Sequence, residues 1–311
     1  MPQTTDSRPA ATDRDQRFAR GSFNGRMAMT ITPERVVYAG FLGAISQRTL
    51  GSLTIYIARD IPFTITIGDE PPRQAYWAAV PPNVPHVIQS NDRVVWDVLI
   101  EPECVDIEDF LRQFPQLLSA PTESYLRIRG AFERWIDGVE TFAPSAEAID
   151  RFFFGQPLKA RRLDERIKCA VEQIRAHSCE QYFAAECARL TGLSFSRFVH
   201  LFKEQIGMTF RTFCAWKRAR ALLPYVTSAS NLTELALKMG YPDSTHFSHS
   251  IRRIYGLRPR DILAGSRRLT LQFDAPSTAE PSASELDADW REPPRRNAGF
   301  VHRQSALRSH G

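Results

Sequence analysis

Residues able to do catalytic or metal chemistry are few in this sequence of 311 residues. The sequence contains no G-x-S-x-G elbow, Walker loop, dinucleotide fingerprint or zinc-protease pair. The cysteines form no CxxC pair and are odd in number, which favours unlinked thiols in a reducing compartment, although a redox sensor built from the Cys169, Cys179 and Cys187 group stays open. We therefore expect a protein that is not an enzyme and that needs no cofactor. The five cysteines are Cys104, Cys169, Cys179, Cys187 and Cys214.

Histidines cluster only in the C-terminal half. His246 and His249 have the i, i+3 spacing of a metal-binding pair, and His200 lies upstream. No acidic or cysteine pair accompanies them, so we expect no metal site. The chemistry that remains to these side chains is hydrogen bonding to a polar partner.

Charge is distributed unevenly along the chain. Residues 160–268 hold 19 Lys and Arg against 9 Asp and Glu, a balance of +10, so the remainder carries −5 of the total of +5. A basic half joined to an acidic half indicates a polyanionic partner for the basic one. Charge alone does not distinguish DNA from RNA or an anionic membrane.

An internal repeat positions these polar and basic residues. The segments ECARLTGLSFSRFVHLFKEQIG and ELALKMGYPDSTHFSHSIRRIYG each place an alanine four residues before a glycine, then two apolar residues four apart. This pattern predicts a helix, a glycine turn and a second helix, with the outer face of the second helix free to enter a major groove. The repeated residues are Ala188, Gly192, Phe198 and Phe202 in the first unit, and Ala236, Gly240, Phe247 and Ile251 in the second.

Helix starts are predicted where Ser178 precedes Gln181 and where Asn231 precedes Glu234. Between the two units, the segment FRTFCAWKRARALLPYV predicts a rigid connecting helix. Such a connector would hold two reading helices about 34 Å apart, the spacing of successive major-groove faces.

Basic side chains on the repeat and the connector are candidates for phosphate contacts, which position a protein without reading sequence. For Lys217, Arg218 and Arg220 on the connector, a phosphate contact and a solvent-facing role both stay open. The candidate phosphate ligands are Arg197, Lys203, Arg218, Arg252 and Arg253.

The two units resemble the DNA-binding domain of the AraC/XylS family of bacterial regulators. The first matches A-x3-GLS-x-S-x-F-x3-FKE-x2-G-x-T, and the second matches LTELAL-x2-GY-x-DSTHFS-x3-RR-x-YG-x-RP, which includes Pro259 as a structural position. Two departures are Ile251, where the family usually has Phe, and Arg258, where it usually has a Ser or Thr that caps the last helix. The resemblance implies base contacts by six residues, for each of which a merely solvated role stays open: Ser196, Val199, His200, Thr245, His246 and His249.

The resemblance also implies an α+β chain with a sensor domain before the DNA-binding domain. We expect a disordered leader at 1–22, a β-rich, cupin-like barrel at 23–104 and a helical linker or dimerisation segment at 105–158. The DNA-binding domain spans 160–265, and a disordered tail covers 266–311. An apolar helical stripe could form a dimer surface or pack on its own barrel; it comprises Ile128, Phe132, Trp135, Ile136 and Val139.

Aromatic residues of the β-rich part are candidates for an effector pocket, with core packing as the alternative. The run VPPNVPHVI resembles the proline-and-histidine turn of cupin barrels, but His86 is the only histidine before residue 177, so the two-His metal site of cupin enzymes cannot form. The candidate pocket residues are Tyr56, Trp77, His86 and Trp96.

The expected partners follow from this interpretation. They are double-stranded DNA at promoter sites, a small-molecule effector, RNA polymerase and a second copy of the chain, with no membrane, in the bacterial cytoplasm. An architectural or RNA-binding protein that uses the same basic face is the alternative.

Overall fold

The structure, a computed structural model, describes residues 27–91, 93–176, 184–227, 232–266 and 269–273. The expected leader, most of the expected tail, and the helix starts predicted at Ser178 and Asn231 lie outside the described residues.

Among the described residues, strands dominate up to Ile100 and helices dominate after it. The strands are β1 (Met27–Ile31), β2 (Arg35–Phe41), β3 (Gln47–Arg48), β4 (Leu53–Ile57), β5 (Phe63–Ile67), β6 (Arg73–Ala75), β7 (Trp77–Val80), β8 (His86–Gln89), β9 (Val94–Ile100), β10 (Leu117–Leu118) and β11 (Leu269–Phe273). The helices are α1 (Ile107–Gln113), α2 (Glu123–Ile136), α3 (Ala146–Phe154), α4 (Glu165–Ala176), α5 (Ala184–Leu190), α6 (Phe195–Ile206), α7 (Phe210–Arg220), α8 (Leu232–Lys238), α9 (Ser244–Tyr255) and α10 (Pro259–Ser266).

The strands form two sheets. The larger has the order β10-β7-β4-β9-β2-β1-β11, and the smaller has the order β3-β8-β5-β6. Among the described residues no strand of one sheet pairs with a strand of the other, so the two sheets stay open where a closed barrel was expected. The α+β class is confirmed, with a β-sheet region followed by a helical region.

The large sheet is covered on both faces, which explains why β4 and β9 are largely apolar and are buried along their whole length. The small sheet packs on one face through a core that includes Tyr56, Ile65 and Ile88. Helices α1, α2 and α3 pack on the other face.

The apolar stripe of α2 belongs to that second core. Ile128, Phe132 and Trp135 are buried against the sheet, whereas Val139, beyond the end of the helix, is 73% exposed. A buried ion pair between Arg35 and Asp150, at 2.9 Å, ties α3 to β2. Of the two roles considered for the stripe, packing on its own sheet is the one that the structure shows.

The expected disordered tail contains a strand. Residues Leu269–Phe273 pair in parallel with β1, opposite Met27–Ile31, at the edge of the large sheet. Leu269 and Leu271 alternate with the polar Thr270 and Gln272, and the two leucines pack into the core beneath the sheet edge. Apolar residues at every second position favour a strand where an unpaired sheet edge is available, even though the surrounding sequence is polar.

None of the described helices has the length and apolar character that crossing a membrane requires.

Candidate DNA-binding surface

The first helix-turn-helix unit is formed by α5 and α6. Gly192, with φ +67°, makes the left-handed turn that ends α5, a conformation that glycine adopts without strain. The side chain of Ser194 caps α6 by accepting a hydrogen bond from the backbone N–H of Arg197 at 3.3 Å. Phe198 and Phe202 are fully buried and hold α6 against its neighbours.

The second unit, α8 and α9, repeats this arrangement. Gly240 has φ +75°. The carboxylate of Asp243 caps α9 by accepting bonds from the backbone N–H groups of Thr245 and His246, both at 2.8 Å. Phe247 and Ile251 are buried at the positions of the first unit's two phenylalanines, so isoleucine fills the place where the family usually has Phe.

Candidate base-contacting residues lie on the outer faces of α6 and α9. Ser196 and His200 on α6 are exposed, as are Thr245, His246 and His249 on α9. Val199 differs from them, because it is half-buried and packs against the core of the first unit. Each reading helix therefore presents short polar side chains that can hydrogen-bond to base edges.

Exposed cations flank these polar faces. Arg197 and Lys203 on α6, and Arg252 and Arg253 on α9, all reach solvent, as phosphate ligands must.

Pro259 is the first residue of α10, where its missing N–H costs nothing. Arg258 precedes it and offers no side-chain cap, but its backbone N–H donates to the carboxylate of Asp261 at 3.3 Å. The start of α10 thus retains one capping bond.

Two of the three connector cations point into the molecule instead of facing DNA or solvent. Lys217 and Arg220 are only 6% and 8% exposed. The guanidinium of Arg218 lies 5.5 Å from the centre of the Tyr241 ring, in a cation–π contact with the second unit. Neither expectation for Lys217 and Arg220 is correct, because both side chains point into the molecule towards carboxylates that the sequence places more than 100 residues away.

Those carboxylates follow β9 at the edge of the N-terminal region. Glu101 forms ion pairs with Lys217 and Arg220 and accepts a hydrogen bond from the indole Nε1 of Trp216 at 2.9 Å. Glu103 lies 2.6 Å from Lys217 Nζ and 3.1 Å from Arg175 Nε on α4. Burial opposes charge on Glu101, yet the two cations hold its pKa below the ordinary value.

The second unit is also docked on the sheets directly. The backbone N–H of Thr49 donates to the carbonyl of Arg253 at 2.9 Å, and the Ser46 hydroxyl donates to the carbonyl of Gly256, where α9 ends. The core of the second unit includes Met29, Leu50 and Leu99 of the N-terminal region. Motif matching does not find these contacts, since the partners are far apart in sequence.

His246 is held by the residue that caps its helix. Its Nδ1 lies 2.8 Å from Oδ2 of Asp243, and the imidazole is nevertheless 69% exposed. The hydrogen bond from the backbone N–H of His246, then the one from its ring, and then the one from the backbone N–H of Thr245 lower the pKa of Asp243. Asp243 is a functional candidate that the repeat alone did not single out, although an acidic cap three residues before a histidine is visible in the sequence.

The four candidate pocket residues do not meet at one place. Tyr56 faces the small sheet, where its hydroxyl lies 2.9 Å from Nε2 of His86. Trp77 and Trp96 are both opposite Ile57 in the strand register and face the helices. There Trp77 stacks on Phe110 and Phe114, and Trp96 stacks on Phe132.

The space between the sheets nevertheless holds buried polar groups. Asp97, paired with Tyr56 across the strands, has its pKa raised to about 7 by burial. Burial lowers the pKa of His86 to about 4. Arg48 is 6% exposed and its Nε has no hydrogen-bond partner.

No group of three or more His, Cys, Asp or Glu side chains in the described parts of the chain could hold a metal ion.

Comparison with known proteins agrees with this geometry. The helix-turn-helix domain family (HTH_18) matches residues 187–265. The invasion protein InvF of Salmonella typhi is 32% identical over 72 residues, which are 23% of this chain and 33% of InvF. The arabinose operon regulatory protein of Salmonella typhimurium is 28% identical over 105 residues, 33% of this chain and 37% of that protein.

The alignments with InvF and with the arabinose operon regulatory protein each span about a third of the relative's length. An apo ToxT variant from Vibrio cholerae has a similar fold over 75% of this chain and 97% of that chain, with a TM-score of 0.52 and 10% identity. The family match thus lies in the helical region, whereas the likeness of fold covers three quarters of the chain. Residues 187–265 thus form a helix-turn-helix domain, the part of the chain in which the family match lies, and the arabinose operon regulatory protein is among the relatives that this chain resembles.

Proposed function

We propose that this protein is a sequence-specific transcription regulator that reads two adjacent major-groove segments of one duplex, one with α6 and one with α9. The observation that carries the proposal is the pair of capped helices, each held by a buried apolar pair and each presenting exposed polar side chains flanked by arginine or lysine. Polar groups read base edges, and the cations hold the phosphates on either side.

Buried support keeps the two reading helices in a fixed relation. Helix α7 contributes Phe213 to the core of the first unit and Trp216 to that of the second. Ion pairs from Lys217 and Arg220 also fix α7 to the N-terminal region. Two rigidly spaced helices favour a composite site in which the two short motifs lie about one turn, roughly 10 base pairs, apart.

Selection of bound duplexes from a randomised library by the full chain tests this proposal. The expected result is two short motifs at one fixed spacing. Equal, salt-dependent binding to every duplex would instead support the architectural alternative, because phosphate contacts carry no sequence information. Preference for RNA over duplex DNA would support the RNA-binding alternative.

We also infer a regulatory role for the N-terminal region, through a small-molecule effector. The buried polar set between the sheets, which includes Arg48, Asp97 and the Tyr56–His86 pair, supports an effector site there, in a cupin-like region whose sheets stay open. Trp77 and Trp96 are core residues in this proposal. Native mass spectrometry of the purified chain tests it: a bound small molecule that is lost in Arg48→Met supports the site, and unliganded mass in wild type and variant alike contradicts it.

We also propose that the protein forms a homodimer, that it contacts RNA polymerase and that it is located in the bacterial cytoplasm. Since the apolar stripe of α2 is used inside its own subunit, a dimer must form through another surface. Light scattering of the full chain with and without DNA measures the stoichiometry, and a monomer on a complete site would contradict the dimer.

A further inference from the structure

The second reading helix carries a built-in acid–histidine pair that the first lacks. At the third position of α9, His246 has its Nδ1 2.8 Å from Asp243 Oδ2, while Asp243 Oδ1 is engaged by two backbone N–H groups. The corresponding third position of α6 is Arg197, whose helix is capped by the hydroxyl of Ser194. The pair is therefore particular to the second unit.

The geometry fixes which nitrogen of His246 carries the proton. A carboxylate can only accept hydrogen bonds, so the neutral imidazole must donate from Nδ1 to Asp243. Its Nε2, on a ring that is 69% exposed, then carries a lone pair and acts as an acceptor. A carboxylate that orients a histidine in this way is a positioning group, because it acts through the ring that it holds.

We propose that Asp243 sets the base preference of His246 by fixing this tautomer, so that α9 selects a base that offers an amino group in the major groove. Adenine N6 and cytosine N4 are such donors, whereas guanine and thymine offer only acceptors along that edge. This inference rests on the proposed function, since it takes His246 to face a base pair.

Several charged groups on the elements packed against α9 are buried or pair with groups other than His246. On α8, Glu234 pairs with Lys238 at 3.5 Å. On α7, Lys217 and Arg220 pair with Glu101, and Arg218 lies over Tyr241. Arg48 on β3 is buried, and Arg260 on α10 lies 3.9 Å from Asp261.

Asp243→Asn is the decisive variant because it changes the polarity of the pair without changing its shape. Asparagine is as good a helix cap as aspartate, and its oxygen can keep both backbone bonds. Its amide NH₂ then faces Nδ1 and donates to it, so Nε2 must carry the proton and becomes a donor. The preferred base should change from adenine or cytosine to guanine or thymine, by about tenfold in relative affinity.

The experiment uses the full chain and duplexes selected from a randomised library. The position read by His246 is the one at which His246→Ala loses its preference, and affinities are then measured for the four duplexes that differ there. Wild type should favour adenine or cytosine at that position, and Asp243→Asn should favour guanine or thymine. Asp243→Ser, which retains a cap like that of α6, should lose discrimination without reversing it.

Three results separate the possible failures. If no duplex is preferred at all, the proposed function fails. If a motif is selected but His246→Ala leaves every position unchanged, or if Asp243→Asn retains the wild-type base preference, the tautomer mechanism is wrong and the proposed function stands. Thermal unfolding of Asp243→Asn within about 1 °C of wild type shows that a changed preference is not a folding defect.

Discussion

The two helix-turn-helix units share one local design and differ in what supports them. Both have a left-handed glycine turn, a side-chain cap and a buried apolar pair on the reading helix. The first unit packs into a core of its own, built from α4, α5, α6 and the start of α7. The second unit completes its core with residues from the large sheet, including Met29, Ile31 and Leu99.

This difference shows that two units with similar sequences need not be stabilised by similar contacts. The first unit gains its apolar burial locally, whereas the second depends on residues almost 200 positions earlier in the chain. The second unit is also joined to the sheets by buried ion pairs and by β11, which follows its last helix. A structural change in the N-terminal region should therefore affect the second unit more than the first.

Removing the N-terminal region gives the largest expected effect. In a fragment of residues 160–265, the second unit loses its sheet partners and β11, and its apolar side chains become exposed to water. Hydrogen exchange should show protection retained in α6 and lost in α9. Equal protection of both helices would contradict the comparison.

Glu101→Gln tests the buried ion pairs. Glu101 is 1% exposed, and its loss leaves Arg220 buried without a carboxylate, so we expect a cost of about 3–5 kcal/mol in the free energy of unfolding. The matched control is Glu234→Gln, which breaks an exposed pair with Lys238 and should cost about 0.5 kcal/mol or less. Urea denaturation measures the free energy of unfolding of both variants. Similar losses would refute the stabilising role of the buried ion pairs of Glu101.

Acid should loosen the second unit before the first. Because the pKa of Glu101 lies below its ordinary value of 4.5 in the folded protein, its contribution to stability is present above pH 4.5 and is lost as the pH falls through the lowered pKa. Hydrogen exchange of α9 measured between pH 5 and pH 3 should accelerate relative to that of α6. The variant Glu101→Gln should lack this step; the same step in that variant would assign it to another group.

The helix caps give the smallest expected effects and sharpen the comparison locally. Ser194→Ala should destabilise the protein by about 1 kcal/mol, and Asp243→Ala by slightly more, because Asp243 accepts two backbone bonds. Urea midpoints of the two variants measure this difference. A larger loss of stability for Ser194→Ala would mean that the contribution of a cap is not set by the number of backbone hydrogen bonds that it accepts.

Local features of the DNA-binding region could be predicted from sequence. The glycines, the buried apolar pairs and the exposed polar faces of α6 and α9 follow from helical periodicity over a few residues. The base-contact roles of residues such as His200 and Thr245 stay predictions.

Long-range features could not be predicted in this way. Lys217 and Arg220 resemble phosphate ligands on an isolated helix, and only the fold brings Glu101 to them. Likewise, an aromatic content typical of a pocket does not show that Tyr56 and Trp77 lie on opposite faces of one sheet, which the strand register decides. The strand β11 could not be predicted because its alternation of apolar and polar residues is short and its partner β1 lies at the other end of the described chain.

Affinity for a spacing series tests most directly whether two rigidly held units read one duplex. The full chain is titrated against its selected duplex and against the same duplex with five base pairs, about half a helical turn, inserted between the two motifs. Fixed units cannot follow that rotation, so we predict at least a tenfold loss of affinity, the equivalent of about 1.4 kcal/mol. Unchanged affinity would show that the two units are not held together, or that only one of them reads DNA.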